Sequence, residues 1–92
     1  MNTYELTIVV PSGDEKNKDR VVKLVADFAK KRKGEINKQE SWGEKRLAYQ
    51  IKKQTTAVYE HWLISLEAAD QVELDKTLRI DENILRYMFV RV

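Results

Sequence analysis

Thr3-Tyr4-Glu5-Leu6-Thr7-Ile8-Val9-Val10-Pro11-Ser12-Gly13-Asp14-Glu15 is a strand that runs directly into a helix, and the fold follows from it. Tyr4, Leu6, Ile8 and Val10 share one side of this stretch, while Thr3, Glu5 and Thr7 share the other. Period-two alternation with β-branched residues is the pattern of a half-buried strand. Pro11 has no N–H to donate and stops the ladder. Ser12 and Glu15 have the spacing of a capping box, so their side chains are expected to satisfy the free amides of the following helix.

The helix is marked by Val21, Leu24, Val25 and Phe28, whose spacing stacks them into one apolar stripe, widened by Val22 and Ala29. It is expected to end in Lys30-Lys31-Arg32-Lys33-Gly34, with cations against the negative end of the dipole and Gly34 as the left-handed cap. Glu35 to Lys53 is extended in character but changes parity. Ile36 and Trp42 are even, whereas Leu47, Tyr49 and Ile51 are odd. Such a change needs an extra residue, and Gly43, between the two sets, is the expected bulge. Lys52 to Thr56 reads as a hairpin turn. Ala57 to Glu67 carries apolar residues on both faces, as a central strand does, with Trp62, Ile64 and Leu66 inward and Tyr59, His61 and Leu63 outward. Asp70 and Glu73 form a second capping pair before a shorter helix with Val72, Leu74 and Leu78 inside; Ile84 to Val92 is the last strand.

The order β-α-β-β-α-β predicts an α+β, ferredoxin-like domain covering residues 1–92, with a four-stranded antiparallel sheet and both helices on one face. The other face of the sheet is then left without helices.

Ninety-two residues suffice for one core and not two. No apolar run approaches the ~18 residues of a membrane helix, and no charged segment followed by an apolar stretch marks a signal peptide. The absence of cysteine rules out disulfides and thiolate metal sites and is compatible with a cytoplasmic location. The net charge is only +2, but it is unevenly spread: residues 1–53 hold 13 Lys/Arg against 8 Asp/Glu, and residues 54–92 hold 4 against 7. Such a polarity suits a protein meeting phosphates on one side and something else on the other.

Catalysis finds little support. The single histidine, His61, has no evident carboxylate to orient it, the three glycines are scattered, and no metal-ligand spacing occurs, so no cofactor is expected. An RNA-recognition module would need an aromatic, glycine-containing consensus on a central strand, but Val58-Tyr59-Glu60-His61-Trp62 lacks the glycine and carries a carboxylate.

Two segments are more specific. Gly43-Glu44-Lys45-Arg46-Leu47-Ala48-Tyr49-Gln50-Ile51 resembles the G-x-[KR]-[KR]-L-A-Y-x-I motif of the bacterial small-subunit ribosomal protein six family. Leu78-Arg79-Ile80-Asp81-Glu82-Asn83-Ile84-Leu85-Arg86-Tyr87 resembles the family's second signature, and Tyr4-Glu5 and the Trp62 region also fit. Gln50 stands where the family often has proline, and the sequence ends at Val92 without the extended tail of many members. The resemblance implies a structural component of the cytoplasmic small ribosomal subunit. Its implied partners are small-subunit ribosomal protein eighteen and the central domain of small-subunit (16S) ribosomal RNA, with no membrane or small-molecule substrate. Candidate RNA- or partner-binding residues are Trp42, Lys45, Arg46, Arg79, Arg86 and Arg91. Parity places Arg46 beside Trp42, with Leu47 and Tyr49 anchoring the edge strand to the core. The run Lys30–Lys33 is explained by its place at a helix end. Rival readings are a ligand-binding or self-associating regulatory domain, and an acyl-phosphate hydrolase, which the acidic loop Pro11–Glu15 disfavours.

Overall fold

The computed structural model describes residues 1–92. The elements are β1 (Asn2–Pro11), α1 (Glu15–Lys31), β2 (Glu35–Ile51), β3 (Gln54–Leu66), α2 (Ala68–Arg79) and β4 (Arg86–Arg91). The strands form one antiparallel sheet in the order β2-β3-β1-β4, the expected ferredoxin-like arrangement, with β2 and β4 as its edges.

The core is the inward row of the two central strands closed by the helices. Tyr4, Leu6, Ile8 and Val10 of β1 and Trp62, Ile64 and Leu66 of β3 meet Val21, Val25 and Ala29 of α1, Leu74 and Leu78 of α2, and Ile84. Burial of each large aliphatic side chain stabilises the fold by about 1.5–3 kcal/mol. No β2 side chain belongs to this buried set; Ile36 packs against its margin.

Several local expectations are corrected. Asp14, not Ser12, caps α1: its Oδ1 accepts the Asn17 N–H at 3.1 Å, while the Ser12 hydroxyl pairs with the Thr56 hydroxyl at 2.6 Å. The left-handed residue after α1 is Lys33 (φ 56°), not Gly34. Gly34 serves close packing instead, since a Cβ there would lie 2.5 Å from Leu66 Cδ2 and 2.8 Å from the Ser65 carbonyl. α2 begins at Ala68, before the expected Asp70–Glu73 pair, and Val72 faces solvent. Ile84 enters the core ahead of β4, so the last strand is shorter than its sequence pattern. The β2–β3 turn is only Lys52-Lys53, both left-handed (φ 50° and 66°), the geometry that favours glycine or asparagine in a two-residue hairpin.

The parity change in β2 is real and larger than its sequence signal. Pairing with β3 shifts between Ile36 and Lys38, between Ser41 and Gly43, and between Arg46 and Ile51. Gly43 is left-handed (φ 79°) and Trp42 is the extra residue, as a bulge at this glycine requires. Leu47–Gln50 drop out of register altogether. Leu47 and Tyr49 therefore do not anchor β2 to the core. Leu47 is half-buried and Tyr49 is 60% exposed, and together with Ala48 and Ile51 they line a groove with Val9, Tyr59 and Arg86.

Candidate functional site on the helix-free face of the sheet

The outward row of the sheet follows from the register. Tyr59, His61 and Leu63 of β3 lie across from Val9, Thr7 and Glu5 of β1, which in turn face Arg86, Met88 and Val90 of β4. On the other side of β3, Gly43 pairs with Tyr59 and Glu40 with His61. The bulge adds Trp42 to this face. Its ring stacks on His61 with centroids 4.6 Å apart and planes 11° from parallel, and its indole N–H donates to Glu40 Oε2 at 3.0 Å. Glu40 also accepts from Lys38 at 2.7 Å; first this bond and then the Trp42 bond hold its carboxyl below the usual carboxylate range.

Lys45, two residues past the bulge, returns to the same face. Its Nζ is 5.5 Å from the ring centroids of both Trp42 and Tyr59, within cation–π range. Arg86 completes the band from β4: its guanidinium lies 5.6 Å from the Tyr49 ring centre and donates to the Tyr49 hydroxyl at 2.8 Å. Three of the six sequence-predicted residues, Trp42, Lys45 and Arg86, thus converge on one surface. The link between them is aromatic: Trp42, Tyr59 and Tyr49.

The other three lie elsewhere. Arg46 pairs across from Thr56 and, as the strand neighbour of Lys45, points to the opposite side. The expected Arg46–Trp42 pair is therefore replaced by Lys45–Trp42. The same bulge that switches the parity of the apolar residues switches that of the cations, and Lys45 was the residue to place beside the indole. Arg79 pairs with Asp75 one turn earlier on α2 at 2.6 Å. Arg91 lies across from inward-facing Tyr4 and donates to Asn2 Oδ1 at 3.1 Å. Sequence reasoning missed Tyr59 and Tyr49 as members of the band, although the outward parity of Tyr59 was legible.

Charge pairing adds a second distinction. Lys18, Arg20, Arg32, Lys38, Lys76 and Arg79 each sit within 4.0 Å of a carboxylate. Lys45, Arg46, Lys52, Lys53 and Arg86 have none, nor do Lys16, Lys23, Lys30, Lys31, Lys33 and Arg91. Only the hairpin combines this with a stretch, between Lys45 and Tyr59, that holds no Asp or Glu. Lys52 is turned toward the Glu82 and Ile84 carbonyls at 3.2 and 3.4 Å, where the nearby Asp81 carboxylate partly offsets its charge. The β2–β3 hairpin and the adjoining Arg86 are thus a zone of free positive charge interleaved with exposed aromatics. Chemically, this surface can hold phosphates and present flat rings to a partner.

Known proteins place this architecture. The ribosomal protein S6 family matches residues 3–91. The small ribosomal subunit protein bS6 of Syntrophomonas wolfei is 37% identical, covering 99% of this chain and 96% of the relative. That of Clostridioides difficile is 39% identical, covering 98% of both chains. The crystal structure of 30S ribosomal protein S6 from Thermotoga maritima superposes with a TM-score of 0.88 at 27% identity, covering 99% of this chain and 87% of that one. The chain belongs to the ribosomal protein S6 family, structural proteins of the small subunit of the cytoplasmic ribosome.

Proposed function

We propose that the chain binds the central domain of small-subunit (16S) ribosomal RNA together with small-subunit ribosomal protein eighteen, and does so without catalysis. The observation that carries this reading is the coincidence of uncompensated cations and exposed rings on the helix-free face and its hairpin. Free cations meet phosphates at no cost of breaking an internal ion pair, and an irregular edge strand resists self-pairing while staying open to a chosen partner. In this reading Lys45, Arg86 and Trp42 make the principal contacts. Arg46 and the turn lysines extend them along the hairpin, and Arg79 and Arg91 contribute from the helix side and the β4 end.

The test is reconstitution with a central-domain RNA fragment and the partner protein, read by mobility shift. Lys45→Ala and Arg86→Ala are each expected to weaken assembly by about 1–3 kcal/mol, the range for a lost charged contact. Arg79→Ala, whose charge is already paired, is expected to cost less. Parental affinity for both Lys45→Ala and Arg86→Ala would remove the site from this face.

A further inference from the structure

The inward row of β3 contains one ionisable residue, Glu60. It lies directly across from Ile8 of β1, which is fully buried, and is itself 1% exposed. A carboxylate in such a place is expensive unless it is hydrogen-bonded. Its partners come from the edge strand: Ser41 Oγ donates to Oε1 at 2.9 Å, and Gln39 Nε2 approaches Oε2 at 3.5 Å. Lys18 on α1 adds a nearby cation. Its pKa is raised chiefly by the hydrogen bond to Glu15, with the Glu60 charge as a smaller contribution.

These contacts fall in the middle of β2, where no side chain of the strand enters the core. A strand is held in register by the side chains it buries, and β2 buries none in the core. Only Ile36, at its start, gives an apolar anchor. Between Ile36 and the hairpin tip the pairing slips three times. Ser41 and Gln39 are drawn inward onto Glu60, which obliges Glu40 and Trp42 to face outward. The bulge is thereby confined to Trp42 and Gly43, immediately after the tethered serine.

We infer that Glu60 is a positioning residue: its buried carboxylate, by holding Ser41 and Gln39, sets the bulge that presents Trp42 stacked on His61 and Lys45 beside it on the helix-free face. Glu60 itself touches neither RNA nor partner. The effect of this tether on assembly, as distinct from the stack, rests on the reading of that face as the binding surface.

The chain has a single histidine, so its imidazole proton signals are unambiguous reporters of the Trp42 stack. Trp42→Ala defines the unstacked position of those signals in the full-length protein. Glu60→Leu is expected to move them at least halfway toward that position, while thermal stability stays level or rises, because an apolar residue of similar volume tolerates burial better. Glu60→Gln, which keeps an acceptor for Ser41, is expected to stay near the parent. Ser41→Ala removes the donor from the exposed edge without touching the core and is expected to shift the signals in the same direction as Glu60→Leu. Assembly with the RNA fragment and partner is expected to fall about tenfold for Glu60→Leu and little for Glu60→Gln. Unmoved histidine signals in Glu60→Leu and Ser41→Ala would overturn the inference. Displaced signals with parental assembly would uphold the tether and instead sink the helix-free face as the binding surface.

Discussion

Two glycines separate backbone strain from side-chain crowding. Gly43 is left-handed (φ 79°), yet nothing lies within 4 Å of where its Cβ would be. Gly34 has ordinary dihedrals, but a Cβ there would press on Leu66 and on the Ser65 carbonyl. Gly43→Val is therefore expected to cost about 1–3 kcal/mol through dihedral strain alone. Gly34→Ala is expected to cost about 1–3 kcal/mol through overpacking. Thermal melts of Gly43→Asn check the distinction, since asparagine tolerates the left-handed region and should recover most of the loss. Both glycines were visible in the sequence, but only Gly43 was assigned its proper role. A parity change leaves a trace in the pattern of neighbouring residues, whereas close approach to β3 is a tertiary fact with no local signature.

At the scale of elements, the join between α1 and the turn after α2 is polar. Arg20 donates to both carboxylate oxygens of Asp81 at 2.8 and 3.0 Å, and to Asn17 Oδ1. Asn17 in turn donates to the Asn83 carbonyl at 2.9 Å. The Arg20 hydrogen bond holds the Asp81 carboxyl below the usual range against the opposing effect of burial. A depressed folded-state pKa contributes stability that is complete above the unfolded value of about 4 and is lost as pH falls through the folded one. Asp81→Asn is thus expected to lower stability by about 1 kcal/mol at neutral pH, a modest figure because Arg20 is partly exposed. The deficit should shrink as pH falls below about 4. Chemical denaturation of parent and variant at neutral and acid pH checks this; a deficit independent of pH would assign the effect to shape rather than charge. These elements were legible as elements, because Val21, Leu24, Val25 and Phe28 or Tyr4, Leu6 and Ile8 each declare a period. Their joins were not, since Arg20 and Asp81 are far apart in sequence and their pairing follows only from how α1 and the α2–β4 turn close on the same end of the sheet.

Across the whole molecule, the charge asymmetry seen in the two parts of the sequence acquires a direction. The acidic residues after Lys53 are concentrated on α2 and its flanks, at Glu67, Asp70, Glu73, Asp75, Asp81 and Glu82, with Glu60 enclosed. Lys45, Arg46, Lys52, Lys53 and Arg86, none with a carboxylate within 4.0 Å, gather at the hairpin and the adjoining β4 edge, while the other unpaired cations are spread over α1, its C-terminal end and Arg91. Each phosphate neutralised by a free cation contributes roughly 0.7–0.9 to the slope of log affinity against log salt. Those side chains together therefore set a slope of roughly 3.5–4.5. That is a modest electrostatic hold, and the net charge of +2 adds little long-range attraction. Alone, the chain is expected to bind ribosomal RNA no more tightly than non-specific binders do, on the order of 10⁻⁴–10⁻⁶ M at physiological salt. A partner docked beside the hairpin supplies further contacts and converts the second engagement into an effectively intramolecular one, so affinity should rise by on the order of 10²-fold or more. Filter binding of the central-domain RNA fragment across a salt series, with and without ribosomal protein eighteen, measures both quantities. Nanomolar binding by the isolated chain, or a salt slope unchanged by removing Lys45 and Arg86 together, would show that the hairpin and its neighbouring edge do not supply the electrostatic contact.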